Sequence, residues 1–237
     1  MSIFDNMFGD SKHQAGEPAR PEDQPGDLII SPDTRRDNRI PPGQSRTRKW
    51  PVLDASGPPR IDLSSWTLEV GGLVDKPFSL TLEEFQALPQ VKVFADFHCV
   101  TRWSRLGNVW TGVAARLIAE MAGIKPEAKF VLAHGYDNGW TTNLPLEYFL
   151  AEDALLTHTH DDEPISLEHG GPVRLMIPQL YAWKSAKWCQ SLLFLDHDEP
   201  GLWEQQGYHN HGDPWTEERF GSDQLPPGWR EETHDEE

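Results

Sequence analysis

The feature that most constrains the fold is a succession of short apolar segments that follow one another without regular helices between them. Segment 66–70 alternates apolar and polar residues and ends at Gly71, and segment 91–99 is rich in β-branched and aromatic residues. Similar patterns predict strands at 129–134, 155–160, 173–177 and 187–195. Neither a regular βαβ alternation nor a Gly-rich phosphate loop is visible. The sequence therefore predicts an α+β, β-rich mixed fold.

The helices predicted between these strands are short. Thr81 and Glu84 have the spacing of a capping box, Phe85 and Leu88 give the following turn an apolar face, and Pro89 stops it. A second helix is predicted over 112–121 because apolar residues recur there at helical spacing, with Gly123 as its C-terminal cap. A third short helix is expected near 146–150.

The chain is long enough for one compact domain with a buried core. It has 237 residues, of which 37% are hydrophobic. Residues 1–30 and 221–237 are rich in Pro, Gly or charge and bury too little apolar surface to offset their ordering entropy. We therefore expect a mobile N-terminal arm (1–30), a single domain (31–220) and an acidic C-terminal tail (221–237).

The net charge disfavours two classes of partner. The formal charge of -17 repels the phosphates of nucleic acid and the anionic surface of a membrane. Residues 1–26 contain no apolar run that resembles a signal peptide or a membrane span, and Arg35-Arg36 is not followed by an apolar stretch. With only two cysteines, these features predict a cytoplasmic protein without a disulfide framework.

Cys99 is the strongest candidate for chemistry. A buried free cysteine commonly serves as a small hydrophobic residue, and we assign Cys189 to the core on that ground. Cys99 differs because His98, Arg102 and Arg105 flank it, and positive charge favours the thiolate that a soft metal centre recruits. The sequence therefore predicts a metal-binding thiolate at Cys99.

Several ordered motifs resemble those of the sulfite-oxidase-fold oxidoreductases, a family that includes sulfite oxidases, plant-type nitrate reductases and bacterial methionine-sulfoxide reductases. The matching residues span about 37–210 and comprise His98-Cys99, Trp103-Ser104, Trp110-x-Gly112, Glu168-His-Gly-Gly-Pro-Val-Arg-Leu175 and Tyr181-Ala-Trp-Lys-Ser-Ala-Lys-Trp188. The resemblance implies a molybdenum-dependent enzyme that transfers an oxo group to or from a small substrate. It also implies that Cys99 binds molybdenum beside the two dithiolene sulfurs of a molybdopterin.

By the same resemblance, a further set of residues is expected to hold the pterin cofactor. Arg174 and Lys187 have the character of ligands for its terminal phosphate, one as a planar fork and one as a point charge. Taken alone, a surface salt bridge for Arg174 and solvent exposure for Lys187 are the simpler interpretations. The other expected contacts are Ser185, Ala186, His169, His134, Asn38 and Arg39.

Two aromatic residues are expected at the substrate pocket. Trp203 and Tyr208 reproduce a spacing by which sulfite oxidases bring a tyrosine to the substrate, and Trp110 is expected in the pocket wall. Alternatively, Trp203 and Tyr208 only fasten the C-terminal arm. Ser104 stands where the family's sulfite oxidases carry an arginine, so sulfite itself is in doubt unless Arg102 and Arg105 compensate.

The sequence also bears on electron supply. It has no cysteine cluster for an iron–sulfur centre, no heme attachment motif and no dinucleotide fingerprint, so we predict no heme, Fe–S or NAD(P) cofactor. A separate electron-transfer protein with a basic docking face is then expected.

Two rival hypotheses remain at this level. His158 with His160, and His209 with His211, have the alternation of zinc or iron ligands in a hydrolase. The second rival is a non-catalytic binding module of the same fold, which the joint presence of Cys99, Arg174 and Lys187 disfavours.

Overall fold

The computed structural model describes residues 18–136 and 139–221, and in these ranges the chain forms two mixed β-sheets with short helices. The strands there are β1 (Ile29–Ile30), β2 (Ser45–Thr47), β3 (Thr67–Gly72), β4 (Phe78–Thr81), β5 (Val91–Cys99), β6 (Trp103–Ala114), β7 (Phe130–Gly135), β8 (Thr141–Pro145), β9 (Leu155–His160), β10 (Glu163–Pro164), β11 (Arg174–Met176) and β12 (Cys189–Leu195). The α-helices are α1 (Leu82–Ala87), α2 (Ala115–Ala122), α3 (Leu146–Phe149) and α4 (Leu202–Gln205). The predicted β-rich α+β class is confirmed.

The first sheet places Cys99 at one end of its central hairpin. In the described ranges its order is β1-β5-β6-β9-β10, with β2 beside β6 and β11 beside β9. Strands β5 and β6 pair antiparallel from Val91 opposite Gly112 to Cys99 opposite Trp103. Cys99 is therefore the last residue of a long, buried strand, which fixes its backbone.

The second sheet carries the order β4-β3-β12-β7-β8 in the described chain. Strand β12 runs parallel to β3 and antiparallel to β7. Strand β12 begins at Cys189, and residues of the segment before it line the same cleft as Cys99, the last residue of β5. This placement brings residues 182–188 to the same side of the molecule as Cys99.

A single large cluster of buried side chains joins the two sheets. It includes Leu68 and Phe194 from the second sheet, Leu156 from the first, and Ile118 from α2, each fully buried. Burial of such side chains contributes roughly 1.5–3 kcal/mol each. The core lies between the sheets and helices and leaves the strand ends to form a cleft.

Local signals in the sequence predicted several elements correctly. Thr81 accepts a hydrogen bond from the Glu84 backbone while the Glu84 side chain accepts one from the Thr81 backbone, as a capping box requires. Strand β5 has the predicted bounds, and so has β9. Gly123 ends α2 in the left-handed conformation, with φ of 64°.

The prediction of a helix over 112–121 was wrong at its start. Gly112, Val113 and Ala114 belong to β6, and α2 begins only at Ala115. A Cβ atom on Gly112 would lie 2.1 Å from the Leu156 carbonyl oxygen, so this glycine permits close pairing with β9. Leu117, Ile118 and Met121 do lie in α2, so only the fit of Val113 to the helical spacing was a coincidence, and strand β6 was not predicted.

The expected tails fall mostly outside the described residues, which omit 1–17, 137–138 and 222–237. Near the end of the proposed N-terminal arm, Ile29 and Ile30 form β1 and pair in parallel with Val93 and Phe94 of β5. In the described part of the chain, no helix is long and apolar enough to span a bilayer.

Candidate active site

The ends of several elements converge on one cleft beside Cys99. Arg174 begins β11, Lys187 lies just before β12, and Tyr208 follows α4. The cleft has an empty volume of about 720 Å³, part of it open to solvent. Its lining brings together Cys99, Arg174, Ser185, Lys187 and Tyr208 from the predicted set.

Arg174 is a buried cation without an anionic partner in the described chain. Its side chain donates hydrogen bonds to the carbonyl oxygens of His169 at 2.7 Å and Ser185 at 2.9 Å. The residue is only 2% exposed. Burial lowers the pKa of its guanidinium to about 9. A buried charge with only neutral acceptors is costly, so this position favours an anionic ligand.

His169 lies against an indole ring at the same place. Its imidazole stacks on Trp50 with ring centroids 3.8 Å apart and an interplanar angle of 12°. Its Nδ1 atom is buried and has no hydrogen-bond partner in the described chain. Burial, with Arg174 and Lys187 nearby, lowers the pKa of His169 to about 4, so the ring is neutral at pH 7. It is therefore a neutral donor or acceptor for a polar ligand.

Lys187 lies beside Arg174 at the cleft wall, close to a glycine turn. Its Nζ donates to the Glu168 carbonyl at 2.8 Å and is 3.5 Å from the Asp54 carboxylate. Gly170 has φ of +101°, and a Cβ there would lie 2.9 Å from the Lys187 Cα. Only glycine leaves that space open without strain. The turn therefore allows the backbone to approach the Lys187 segment closely.

Ser185 and Ala186 support this segment from the inside. The Ser185 hydroxyl accepts a hydrogen bond from the Ile177 backbone at 3.0 Å. The Ala186 carbonyl accepts one from Leu175 at 2.8 Å, and Ala186 is fully buried. Ser185 lines the cleft, whereas Ala186 does not.

Cys99 is buried, and its charge environment differs from the prediction. Burial raises the pKa of the thiol, while the Thr101 hydroxyl, 3.2 Å from Sγ, and the charges of Arg219 and Lys187 oppose that rise. A metal that binds this sulfur must therefore displace a proton.

The expectation that His98, Arg102 and Arg105 supply the positive charge was wrong. The His98 ring is fully buried, and burial lowers its pKa to about 3, so it is neutral. Arg105 pairs with Asp161 at 2.7 Å. Neither Arg102 nor Arg105 lines the cleft.

Tyr208 occupies an aromatic wall next to Cys99. Its ring stacks on Trp203 with a centroid distance of 5.1 Å and meets Trp183 edge-on at the same distance. Burial and the neighbouring Cys99 raise the pKa of Tyr208 to about 12, so the phenol remains a proton donor at pH 7.

Besides His169 and Ala186, four predicted site residues do not line this cleft. Arg39 forms a buried ion pair with Asp96, and the exposed Asn38 caps the Ile40 backbone. Trp110 is fully buried behind the wall, against Trp50. His134 lies in β7, and its Nε2 is buried without a partner in the described chain.

Sequence reasoning missed one whole wall of the cleft. Trp50, Pro51, Leu53, Asp54 and Ala55 line it from a segment that has no helix or strand. An aromatic residue next to proline, flanked by basic residues and followed by an acidic one, was the available signal. Because the segment has no periodicity, only its packing against His169 reveals its place.

The site residues fit the phosphate and polar groups of a pterin cofactor. Arg174, whose hydrogen-bond acceptors in the described ranges are neutral, lines the cleft, and His169, whose Nδ1 has no partner there, stacks on Trp50 of the cleft wall. The buried Cys99 thiol lies within the same cleft. Cations, neutral donors and a soft sulfur are the groups that such a cofactor requires.

The histidine pairs do not assemble a metal site. His158 contacts Gln90 at 3.0 Å, His160 contacts Arg105 at 2.9 Å, and His211 contacts Glu218 at 2.6 Å. Among residues 18–136 and 139–221, no group of three or more His, Cys, Asp or Glu side chains is placed to hold a metal ion.

Comparison with known proteins defines the class. The family described as "Oxidoreductase molybdopterin binding domain" matches residues 55–203, more than half of the chain. An uncharacterized oxidoreductase of Bacillus subtilis strain 168, YuiH, is 50% identical over 183 residues, covering 77% of this chain and 92% of that protein. The mitochondrial sulfite oxidase of Drosophila melanogaster is 29% identical over 177 residues, which cover 63% of this chain but 30% of that enzyme.

A solved structure supports the fold. The sulfane dehydrogenase SoxCD of Paracoccus pantotrophus matches with a TM-score of 0.60 and 22% identity, over 70% of this chain and 48% of that one. The family match defines an oxidoreductase with a molybdopterin-binding domain. The chain belongs to the oxidoreductase molybdopterin-binding family and is an enzyme of the sulfite oxidase type. The interpretation as a non-catalytic module is therefore wrong.

Proposed function

We propose that this enzyme transfers an oxo group in a two-electron reaction to or from a small substrate of the sulfite, S-oxide or N-oxide class, with molybdenum bound by Cys99 and a pterin dithiolene. The observation that carries this proposal is the buried Arg174, whose hydrogen-bond acceptors in the described chain are all neutral carbonyl oxygens. It shares a cleft with the buried thiol of Cys99.

The chain's own residues divide the work of holding the cofactor. Arg174 and Lys187 neutralise the terminal phosphate, and His169 supplies a neutral hydrogen-bonding group next to them. Ser185 and Ala186 fix the backbone from which Lys187 extends. The contacts proposed for Asn38 and Arg39 lose support because Asn38 bonds the Ile40 backbone and Arg39 is paired with Asp96. His134 lies outside the cleft wall, whereas His169, also outside it, stacks on Trp50 of the wall.

Cys99 provides the protein sulfur, and the cofactor, when bound, supplies the two-electron redox change and the oxo group. Because the thiol is protonated in its buried setting, cofactor binding releases a proton. The Thr101 hydroxyl then holds a hydrogen bond to Sγ. That bond withdraws electron density from the thiolate and orients it.

The lining of the cleft favours a neutral S-oxide or N-oxide over sulfite. The cations that line it within the described ranges are Arg174 and Lys187, both assigned to the phosphate. The rest of the wall is largely aromatic, and Tyr208, with its raised pKa, donates a hydrogen bond to a substrate oxygen. Aromatic walls with a single fixed donor bind neutral polar groups well.

The net charge bears on the electron supply. With a net charge of -17, a separate redox protein with a basic face docks through a small, salt-sensitive interface. We propose no heme, Fe–S or NAD(P) cofactor in this chain, and a cytoplasmic location. Turnover with the protein donor falls as ionic strength rises, while turnover with an uncharged dye does not. Fractionation of cells tests the location.

The decisive experiment replaces Cys99 with Ser, with Cys189→Ser as the matched control because that cysteine is equally buried in β12. Purified proteins are analysed for molybdenum, zinc, iron and pterin, and for the sulfur-to-molybdenum absorption band. We expect about one molybdenum per chain in wild type and in the control, and loss of the band and of activity in Cys99→Ser.

The same experiment separates the rivals. Zinc or iron without molybdenum in the wild-type protein would refute the proposal in favour of a hydrolase. Retention of both the absorption band and turnover on S-oxides in Cys99→Ser would remove Cys99 from the ligand set. Screening sulfite, S-oxides and N-oxides on the wild-type enzyme then decides the substrate class.

A further inference from the structure

A fully buried ion pair lies behind the aromatic wall of the cleft and has no role so far. The Lys184 Nζ and the Glu204 Oε1 are 2.6 Å apart, and their side chains are 0% and 1% exposed. Removing two charges from water carries a desolvation penalty that their attraction offsets only in good geometry. Apolar residues of similar size would stabilise the fold about as well, so stability alone does not explain this pair.

Lys184 connects three segments of the chain. Besides Glu204, its Nζ donates to the Asn143 carbonyl at 2.9 Å, the Asn143 side chain at 3.1 Å and the Asn210 carbonyl at 2.6 Å. It directly precedes Ser185 in the sequence. Lys184 therefore joins the residues that hold the phosphate to β8 and to the loop after α4.

Glu204 gathers its donors on one oxygen. Oε1 accepts from the Trp183 indole at 2.9 Å and from the Thr142 hydroxyl at 3.1 Å, in addition to Lys184. Oε2 is buried and lacks a hydrogen-bond partner in the described residues. The carboxylate is thus held on one side only, and its orientation depends on Lys184 and Trp183.

Tyr208 lies in the sequence between two residues that contact Lys184. Glu204, in α4, comes before it, and Asn210, whose carbonyl accepts a hydrogen bond from Lys184, comes after it. The Tyr208 ring lies between Trp203 and Trp183, and the Trp183 indole is itself bonded to Glu204. Displacement of either charge would therefore shift the backbone and both rings that hold Tyr208.

We propose that Lys184 and Glu204 are positioning residues that fix the Tyr208 phenol in the cleft relative to Cys99 and to the phosphate-binding residues. The proposal rests on the proposed function in one respect, that Tyr208 faces the substrate. The alignment itself is a property of the chain alone. It can be measured without turnover.

The test uses fluorine NMR on protein labelled with fluorotyrosine. The chain has four tyrosines, so Tyr208→Phe assigns the signal of Tyr208 by its disappearance. The main variant, Lys184→Met with Glu204→Leu, replaces the pair by apolar side chains. Asp153→Asn is the control, because Asp153 is a buried carboxylate bonded to Ser31 and Gln179 and lies outside the cleft wall.

We expect the double variant to unfold near the wild-type temperature, with the Tyr208 signal displaced and broadened. The signal of Tyr181, which stacks on Trp183, should change with it, and those of Tyr136 and Tyr148 should stay in place. Activity should show a fall in kcat of about ten- to hundredfold with a smaller change in KM, as expected for a misplaced group. Asp153→Asn should lower stability and leave the Tyr208 signal in place. Should the double variant not fold, the Tyr208 signal is measured instead in Glu204→Gln, whose side chain loses the charge but keeps an acceptor oxygen.

An unmoved Tyr208 signal with wild-type kcat in the folded variant would overturn the positioning role. Absence of molybdenum from the wild-type protein would instead overturn the proposed function and leave the NMR result intact. The two failures are therefore distinguishable. A displaced signal in the Asp153→Asn control would also count against the proposal, since it would show that any buried substitution moves Tyr208.

Discussion

Two arginines, Arg39 and Arg174, looked alike as candidates for the cofactor, and the structure gives them opposite surroundings. Arg39 donates to both oxygens of Asp96, at 2.8 and 2.6 Å, and is paired within the protein. Arg174 is fully enclosed and donates to carbonyl oxygens alone among the described residues. A buried cation that the fold has already neutralised has a structural role, whereas one left without an anion marks a ligand site.

The largest effect expected from this comparison is on stability at Arg39. In Arg39→Ala, Asp96 stays buried without its cation, and the free energy of unfolding should fall by about 3–5 kcal/mol, as measured in urea. The double variant Arg39→Ala, Asp96→Leu should recover most of that loss. Equal instability of the single and double variants would mean that the ion pair is not what Arg39 contributes.

Arg174 should show the reverse behaviour. Arg174→Met should weaken cofactor retention by about 1.5–3 kcal/mol, roughly ten- to hundredfold in affinity, as followed by pterin and molybdenum content after dialysis. In protein stripped of cofactor, the same change should leave stability unchanged or higher, because it removes a buried unpaired charge. Full cofactor occupancy in dialysed Arg174→Met would contradict the phosphate role.

Arg105 is an intermediate case, since it pairs with Asp161 and also donates to His160 at 2.9 Å. Burial, aided by Arg105, lowers the pKa of His160 from 6.5 to about 4. Between those values the unfolded chain binds a proton that the folded chain does not, so stability rises with pH in this window and falls as pH drops. The slope is about 1.4 kcal/mol per pH unit for one group.

His160→Gln should remove that slope while keeping a hydrogen-bonding side chain for Arg105. The slope of the free energy of unfolding against pH is measured by urea unfolding at several pH values between 4 and 6.5. The control is His197→Gln, which replaces an exposed histidine. An unchanged slope in His160→Gln would show that other groups dominate the acid sensitivity of the protein.

The smallest effect is expected at Asp54, whose carboxylate lies 3.5 Å from the Lys187 ammonium. If Asp54 competes with phosphate for Lys187, Asp54→Asn should tighten cofactor retention by roughly 0.4–1 kcal/mol, about two- to fivefold. Pterin and molybdenum content after dialysis against increasing concentrations of inorganic phosphate can resolve this. Weaker retention in Asp54→Asn would mean that Asp54 orients Lys187 instead of competing with the cofactor.

Local chemistry made much of the fold predictable. The capping box at Thr81, the β-branched run of β5 and the glycine cap of α2 each depend on residues adjacent in sequence. Strand β6 was missed because its Gly107 and Gly112 are typical of turns, and only pairing with β5 and β9 makes them part of a strand. Helix α4 has a single turn, too short for a periodic pattern.

Some residues of the site could likewise be predicted from the sequence and others could not. Cys99, Arg174 and Lys187 lie in contiguous motifs, and the structure brings them into one cleft. Trp50 and Asp54 reach it from an irregular segment, which no pattern predicts. The charge of His98 was also unpredictable, because its neutral state depends on complete burial, and burial is a property of the packed chain.

The sequence by itself determined the class of the enzyme, because the ordered motifs that contain Cys99, Arg174 and Lys187 resemble those of the sulfite-oxidase-fold oxidoreductases, and such motifs consist of residues adjacent in sequence. Tertiary structure decided which charges are neutralised within the fold. Arg39 meets Asp96 and Lys184 meets Glu204 across long stretches of chain, while Arg174 meets no carboxylate in the described residues. The physical reason is that the charge energetics of a side chain depend on burial and on partners distant in sequence, which no local pattern records.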